Sequence, residues 1–149
     1  MIVDASVVLR AFFPDEDQAK AQALIRDHVS GREQLLAPTL LLYKVTNAVL
    51  QATRRERITN EMAEMILASF EGLGIEMMPV TWSQMLPLAQ RFDRSAYDTA
   101  YLALAEVAGQ PLIAGDLRPY RAVQHRLDWV WRVGDCQGGG QALRGQTSF

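Results

Sequence analysis

The 149-residue chain carries 15 Lys and Arg against 17 Asp and Glu, a formal charge of −2, so no global attraction draws it to nucleic acid and any such contact must be local. One cysteine, Cys136, and two histidines, His28 and His125, exclude an internal disulfide and a Cys/His zinc cluster. With 49% hydrophobic and 21% charged residues the composition is that of one ordinary globular domain, and no apolar run approaches the roughly 18 residues of a membrane span.

Met1–Val3 reads as a short strand, followed by helical patterns over 5–13 and 17–29. The second helix is introduced by Pro14-Asp15-Glu16-Asp17, acids suited to a helix N-terminus. QLLA at 34–37 is a second strand, which Pro38 is expected to stop. Helices follow at 39–55 and 60–72, with Thr59 the expected cap of the second. The first holds TLLLYKVTNAVL, a buried-helix composition interrupted by Lys44, which shares a face with Leu40, Leu41, Asn47 and Ala48. Beyond Gly74 comes the strand IEMMPV, and Thr81-Trp82-Ser83-Gln84 matches a capping box opening another helix. A helix over 96–108 ends at Gly109. PLIA at 111–114 is a fourth strand, 117–125 a short helix and WVWRV at 129–133 the last strand. Strands separated by helical crossovers predict a three-layer α/β/α domain over 1–135, with a central parallel sheet and helices on both faces. Residues 136–149, with Gly138-Gly139-Gly140, read as a flexible tail. No signal-peptide pattern opens these residues, so a cytoplasmic setting and no membrane association are expected.

In open parallel sheets ligands bind beyond the carboxyl ends of the strands, near the point where strand order reverses. Asp4 leaves strand one, Asp116 follows strand four, and Asp98 lies in the first turn of the helix that leads back into strand four. Three carboxylates from distant parts of the chain are thereby directed to one edge. Such a cluster repels itself unless a cation holds it, and carboxylates with water favour Mg²⁺ or Mn²⁺. Each acid also has a local role open to it. Asp4 can cap the helix starting at Ala5, Asp98 completes the capping-box pattern begun by Ser95, and Asp116 suits a turn.

Four segments in order, MIVDASVVL, LLLYKVTNAVL, SAYDTAYLALAE and PLIAGDLRPY, together with the closing WVWRVGD, resemble the PIN domain of VapC-type toxin ribonucleases. The resemblance covers 1–135. It implies a PIN-like fold and a Mg²⁺- or Mn²⁺-dependent endoribonuclease that cuts RNA, forms a homodimer and is neutralised by an antitoxin protein. It implies metal ligation by Asp4, Asp98 and Asp116, a supporting hydroxyl from Ser6, and a supporting role for Asn47.

At Lys44 the family pattern has glutamate. A polar side chain amid leucines is thereby explained, but its sign is reversed: three carboxylates and one ammonium carry a formal −2 where four carboxylates would carry −4. An ammonium a few ångströms from a divalent cation is repelled by several kcal/mol at an effective dielectric of about 20. Lys44 is then expected to pair with Asp4 or Asp98, to deprotonate, or to swing away, and cleavage is expected to be weakened. Ala114 and Thr99 depart from the commoner threonine and alanine. Positive charge for RNA is sought in Arg54, Arg55, Arg57, Arg94, Arg118, Arg121 and Arg126, and Trp82, Trp129 and Trp131 are expected in a core or interface. A receiver domain would need paired acids after strand one, and a haloacid-dehalogenase phosphatase a second aspartate where Ser6 stands. The alternative kept open is a PIN-fold protein that binds antitoxin or RNA without cutting.

Overall fold

Alternate residues of the central strands pack on opposite sides of one sheet, which divides the interior into two layers. Val3, Leu35, Ala37 and Ile113 enter one hydrophobic cluster, while Ile2, Leu36, Leu112 and Ala114 enter the other. The structure, a computed structural model, describes residues 1–13 and 18–135. The expected helix opening at Pro14–Asp17 and the expected tail at 136–149 lie outside the described residues.

Five strands, β1 (Ile2–Val3), β2 (Leu36–Pro38), β3 (Glu76–Met78), β4 (Leu112–Ala114) and β5 (Val130–Arg132), form a parallel sheet of order β3-β2-β1-β4-β5. On one face lie α1 (Ala5–Phe12), α2 (Ala19–Val29), α3 (Leu40–Arg54) and α4 (Asn60–Gly72). On the other lie α5 (Trp82–Phe92), α6 (Ala96–Ala108) and the short α7 (Arg121–Gln124). This is the expected PIN-like three-layer architecture. No helix among the described residues is long and apolar enough to cross a membrane.

The helix ends follow local chemistry. Thr59 caps α4 by accepting from the Met62 amide at 3.1 Å, and the Gln84 side chain accepts from the Thr81 amide at 3.0 Å at the start of α5. Gly109 ends α6 at φ +62°, a left-handed conformation that glycine adopts without a Cβ clash. One boundary differs from expectation: Pro38 closes β2 from inside, paired with Met78. Leu36 donates to the Met1 carbonyl of the neighbouring strand, so Pro38, two residues on, is where the next such donor would fall. Its missing N–H ends pairing with β1 while pairing with β3 continues. The expected helix over 117–125 is split into a 3-10 turn at Arg118–Tyr120 and α7.

Other expectations move. Trp82 is 74% exposed and lies outside the core layers, which leaves the interface half of that expectation, whereas Trp129 and Trp131 pack against the two core layers. Ala11 and Phe13 are buried, and Phe12, Met77 and Met78 are partly buried against the core.

Candidate active site

With β1 flanked by β2 on one side and β4 on the other, the chain reverses direction across the sheet between β1 and β4. Asp4 and Asp116 leave these two strands side by side. The Asp4 amide donates to the Ile113 carbonyl at 3.0 Å, and Ser6 Oγ accepts from the amides of Gly115 at 2.8 Å and Asp116 at 3.2 Å. Ser6 therefore supports the site by fixing the backbone of the β4 exit against the first turn of α1. Gly115 is required by the same packing. A Cβ there would lie 2.8 Å from Arg10 Cδ and Nε and 2.9 Å from the Ser6 carbonyl oxygen.

Asp4 fulfils its local role as well: it caps α1, its Oδ1 accepting from the Ser6 amide at 2.8 Å. Its Oδ2 accepts from the Tyr120 hydroxyl. Asp98 sits in the first turn of α6, where Ser95 Oγ caps its amide at 3.2 Å. Tyr101, one turn further along α6, and Tyr120 are 2% and 1% exposed. Burial pushes both phenols well above their ordinary ionisation range, and the charges of Asp4 and Asp98 push both further the same way. Both carboxylates thus act on the same pair of buried hydroxyls.

Asp116 is turned elsewhere. Its carboxylate accepts from the Arg118 amide at 2.9 Å and from Arg118 Nε and Nη2 at 2.8 and 2.5 Å. The Arg118 hydrogen bonds hold this carboxyl below its usual range, with a smaller contribution from the charge of Arg10. Consistent with that, no three His, Cys, Asp or Glu side chains among the described residues form a group that could hold a metal ion.

Lys44 and Asn47 project from the exposed side of α3, away from the buried stripe of Leu41, Val45, Val49 and Ala52. Lys44 is exposed, and among the described residues no ion pair joins it to Asp4 or Asp98. Thr99 is fully buried, its hydroxyl donating to the Ser95 and Ala96 carbonyls at 3.0 and 3.2 Å, so its extra polar atom is satisfied within its own helix. Of the expected basic side chains, Arg118 reaches the site and Arg57 lies over the Phe13 ring, 5.7 Å from its centroid. Tyr101, Tyr120 and Arg10 were not expected. Tyr101 was accessible from its three-residue spacing to Asp98, whereas nothing local in the sequence marks Tyr120 or Arg10 as facing the site.

An open parallel α/β sheet with acids gathered at its switch point defines a class of proteins that bind or act beyond the strand ends. The chain belongs to the PIN domain family, whose profile matches residues 1–124. Among curated proteins it is 28% identical over 120 residues to Ribonuclease VapC3 of Pyrobaculum aerophilum, spanning 78% of this chain and 88% of the relative. It is 29% identical over 118 residues to Ribonuclease VapC9 of Mycobacterium tuberculosis, spanning 79% and 87%. Among solved structures, PAE2754 from Pyrobaculum aerophilum superposes with a TM-score of 0.61 at 22% identity, covering 89% of this chain and 90% of that one, a likeness of fold.

Proposed function

We propose that this chain is a divalent-metal-dependent endoribonuclease, the toxin of a VapBC-like toxin–antitoxin pair, acting in the cytoplasm on RNA and neutralised by an antitoxin protein. What supports the reading is the match to the PIN domain family together with Asp4 and Asp116 leaving adjacent strands at the switch point of the sheet, Asp116 tied to the start of α1 through Ser6. The donor set fits a hard cation in kind: carboxylate oxygens, with water completing the shell, suit Mg²⁺ or Mn²⁺. Asp4 and Asp98 would hold it together with Asp116. Asp116 joins them by leaving Arg118, a fully exposed partner whose attraction solvent screens.

When bound, the cation supplies Lewis-acid polarisation of the scissile phosphate and a more acidic water. The protein's own residues do the rest. Tyr120 fixes one oxygen of Asp4 and the Ser6 amide fixes the other, so the carboxylate is oriented before any ligand arrives. Ser6 Oγ fixes the Asp116 backbone. Arg118, once free of Asp116, remains two residues away as a guanidinium able to meet a phosphate oxygen. Lys44 supplies no ligand where the family pattern has glutamate, and it lowers activity without abolishing it, because an exposed ammonium is screened.

A second reading, a PIN-fold protein that binds antitoxin or RNA without cleaving, is favoured by two observations: the Arg118–Asp116 pair and the lysine at position 44. A Mg²⁺ and Mn²⁺ titration followed by an RNA cleavage assay separates the two. Metal-dependent cleavage that Asp98→Asn removes supports the nuclease. Absence of cleavage at any metal concentration, with RNA still bound, establishes the second reading.

A further inference from the structure

Beyond the ends of β2 and β3, a cleft of about 350 Å³ opens between the start of α3 and the α5–α6 pair. Its size is at the low end for ligand pockets and gives room for one small planar group. Leu40, Val80, Met85 and Ala100 supply apolar walls, and no charged side chain is among the described residues that line it. A polyanion entering it therefore meets no like charge there, although the chain carries 17 acids. Within the lining, Tyr97 is 64% exposed, an aromatic ring that the core does not use.

Helix α6 joins this cleft to the candidate site. Ala96, Tyr97 and Ala100 line the cleft, and Asp98 follows Tyr97 directly, about 100° further round the helix. A nucleotide whose base enters the cleft thus has its backbone at the turn that carries Asp98. Arg94, in the turn before α6, is half-buried, and no ion pair joins it to a carboxylate among the described residues. A guanidinium in this place suits a phosphate oxygen. An apolar peptide side chain would match the lining, but it gives no use to the cation beside it.

We infer that this cleft is a base subsite: it receives one unpaired nucleobase of single-stranded RNA, stacked on the Tyr97 ring, with a flanking phosphate on Arg94. Bases of single strands stack on exposed aromatic side chains with little regard to sequence, whereas bases inside a duplex are closed to such contact. The inference rests on the reading of RNA as the substrate, and its test needs no metal.

The full chain, free of divalent cations, is titrated into a short unstructured fluorescein-labelled RNA and into the duplex of the same sequence, with anisotropy as the signal. Tyr97→Ala should weaken single-strand binding about 10-fold or more and leave duplex binding within about 2-fold. Tyr97→Phe, which keeps the ring, should bind as the unaltered chain does. The slope of log affinity against log salt should stay the same in Tyr97→Ala and become shallower by about 0.7 in Arg94→Gln. Equal single-strand binding by Tyr97→Ala and the unaltered chain overturns the inference. A fall in the light-scattering mass of that variant would then assign the cleft to a second copy, and an unchanged mass would assign it to an apolar segment of a protein partner. Equal losses on single strand and duplex overturn it as well, since the defect would be structural, and an unaltered slope in Arg94→Gln overturns the phosphate contact. Absence of both RNA binding and cleavage in the unaltered chain overturns the functional reading itself. RNA binding and cleavage shared equally by the unaltered chain and Tyr97→Ala overturn the base subsite alone.

Discussion

Lys44 is the residue at which the family pattern and this chain disagree, and its exposure decides how the disagreement is felt. Because it is solvated and unpaired with the site acids, replacing it leaves the fold nearly untouched, within about 0.5 kcal/mol by chemical denaturation. Lys44→Glu adds a carboxylate and removes a cation, and should raise Mn²⁺ affinity and RNA cleavage together by about 10-fold or more. Lys44→Ala removes the charge alone; full recovery there would assign the defect to repulsion, and partial recovery to the missing ligand. Asp98→Asn in the Lys44→Glu background must abolish the gain, which ties it to this site. Equal cleavage by the unaltered chain and Lys44→Glu at matched Mg²⁺ would show that three aspartates and water suffice.

At the scale of elements, the contact that unites the site is between the start of α1 and the exit of β4, more than a hundred residues apart in sequence. Ser6→Ala strips the acceptor from two amides, one of them on buried Gly115, and should cost about 1–3 kcal/mol in urea unfolding while loosening Asp116. Gly115→Ala should cost about as much by overpacking, because the Arg10 side chain can move aside but the Ser6 carbonyl cannot. If Gly115→Ala is neutral, the β4 exit is more plastic than this packing allows. The elements themselves were largely legible. Alternation and caps located all five strands and the long helices, since Thr59, Gln84 and Gly109 act through neighbours within a few residues. Pro38 was misplaced because its tolerance depends on which neighbouring strand has already ended, a tertiary fact. The site was legible as a set of acids but not as an arrangement. Nothing in AGDLRPY announces that Arg118 turns back on Asp116 or that Tyr120 reaches Asp4.

At the scale of the molecule, association and pH response depend on what the fold leaves outside and what it seals in. Leu42, Tyr43 and Leu50 on α3 and Met62 and Met65 on α4 are exposed. The proposed homodimer should appear in light scattering as roughly twice the 16.7 kDa chain mass, and a 16.7 kDa particle at every concentration would refute it. Tyr101 and Tyr120 give the second test. Both phenols ionise in the unfolded chain near the ordinary value of 10.0 and well above it in the fold. The native state therefore keeps protons that the unfolded state releases, so their contribution to stability is intact below pH about 10 and declines as pH rises further. Each phenol steepens the decline by up to about 1.4 kcal/mol per pH unit. Tyr101→Phe and Tyr120→Phe should each flatten the alkaline limb measured by urea unfolding between pH 9 and 11. Tyr120→Phe should in addition lower stability at neutral pH, because it leaves the half-buried Asp4 carboxylate one hydrogen bond short. Tyr101→Phe should not, since its hydroxyl donates to no partner among the described residues. The two variants thus match on the alkaline limb and diverge at pH 7, and a pair that falls together at pH 7 would mean that both phenols are engaged within the fold.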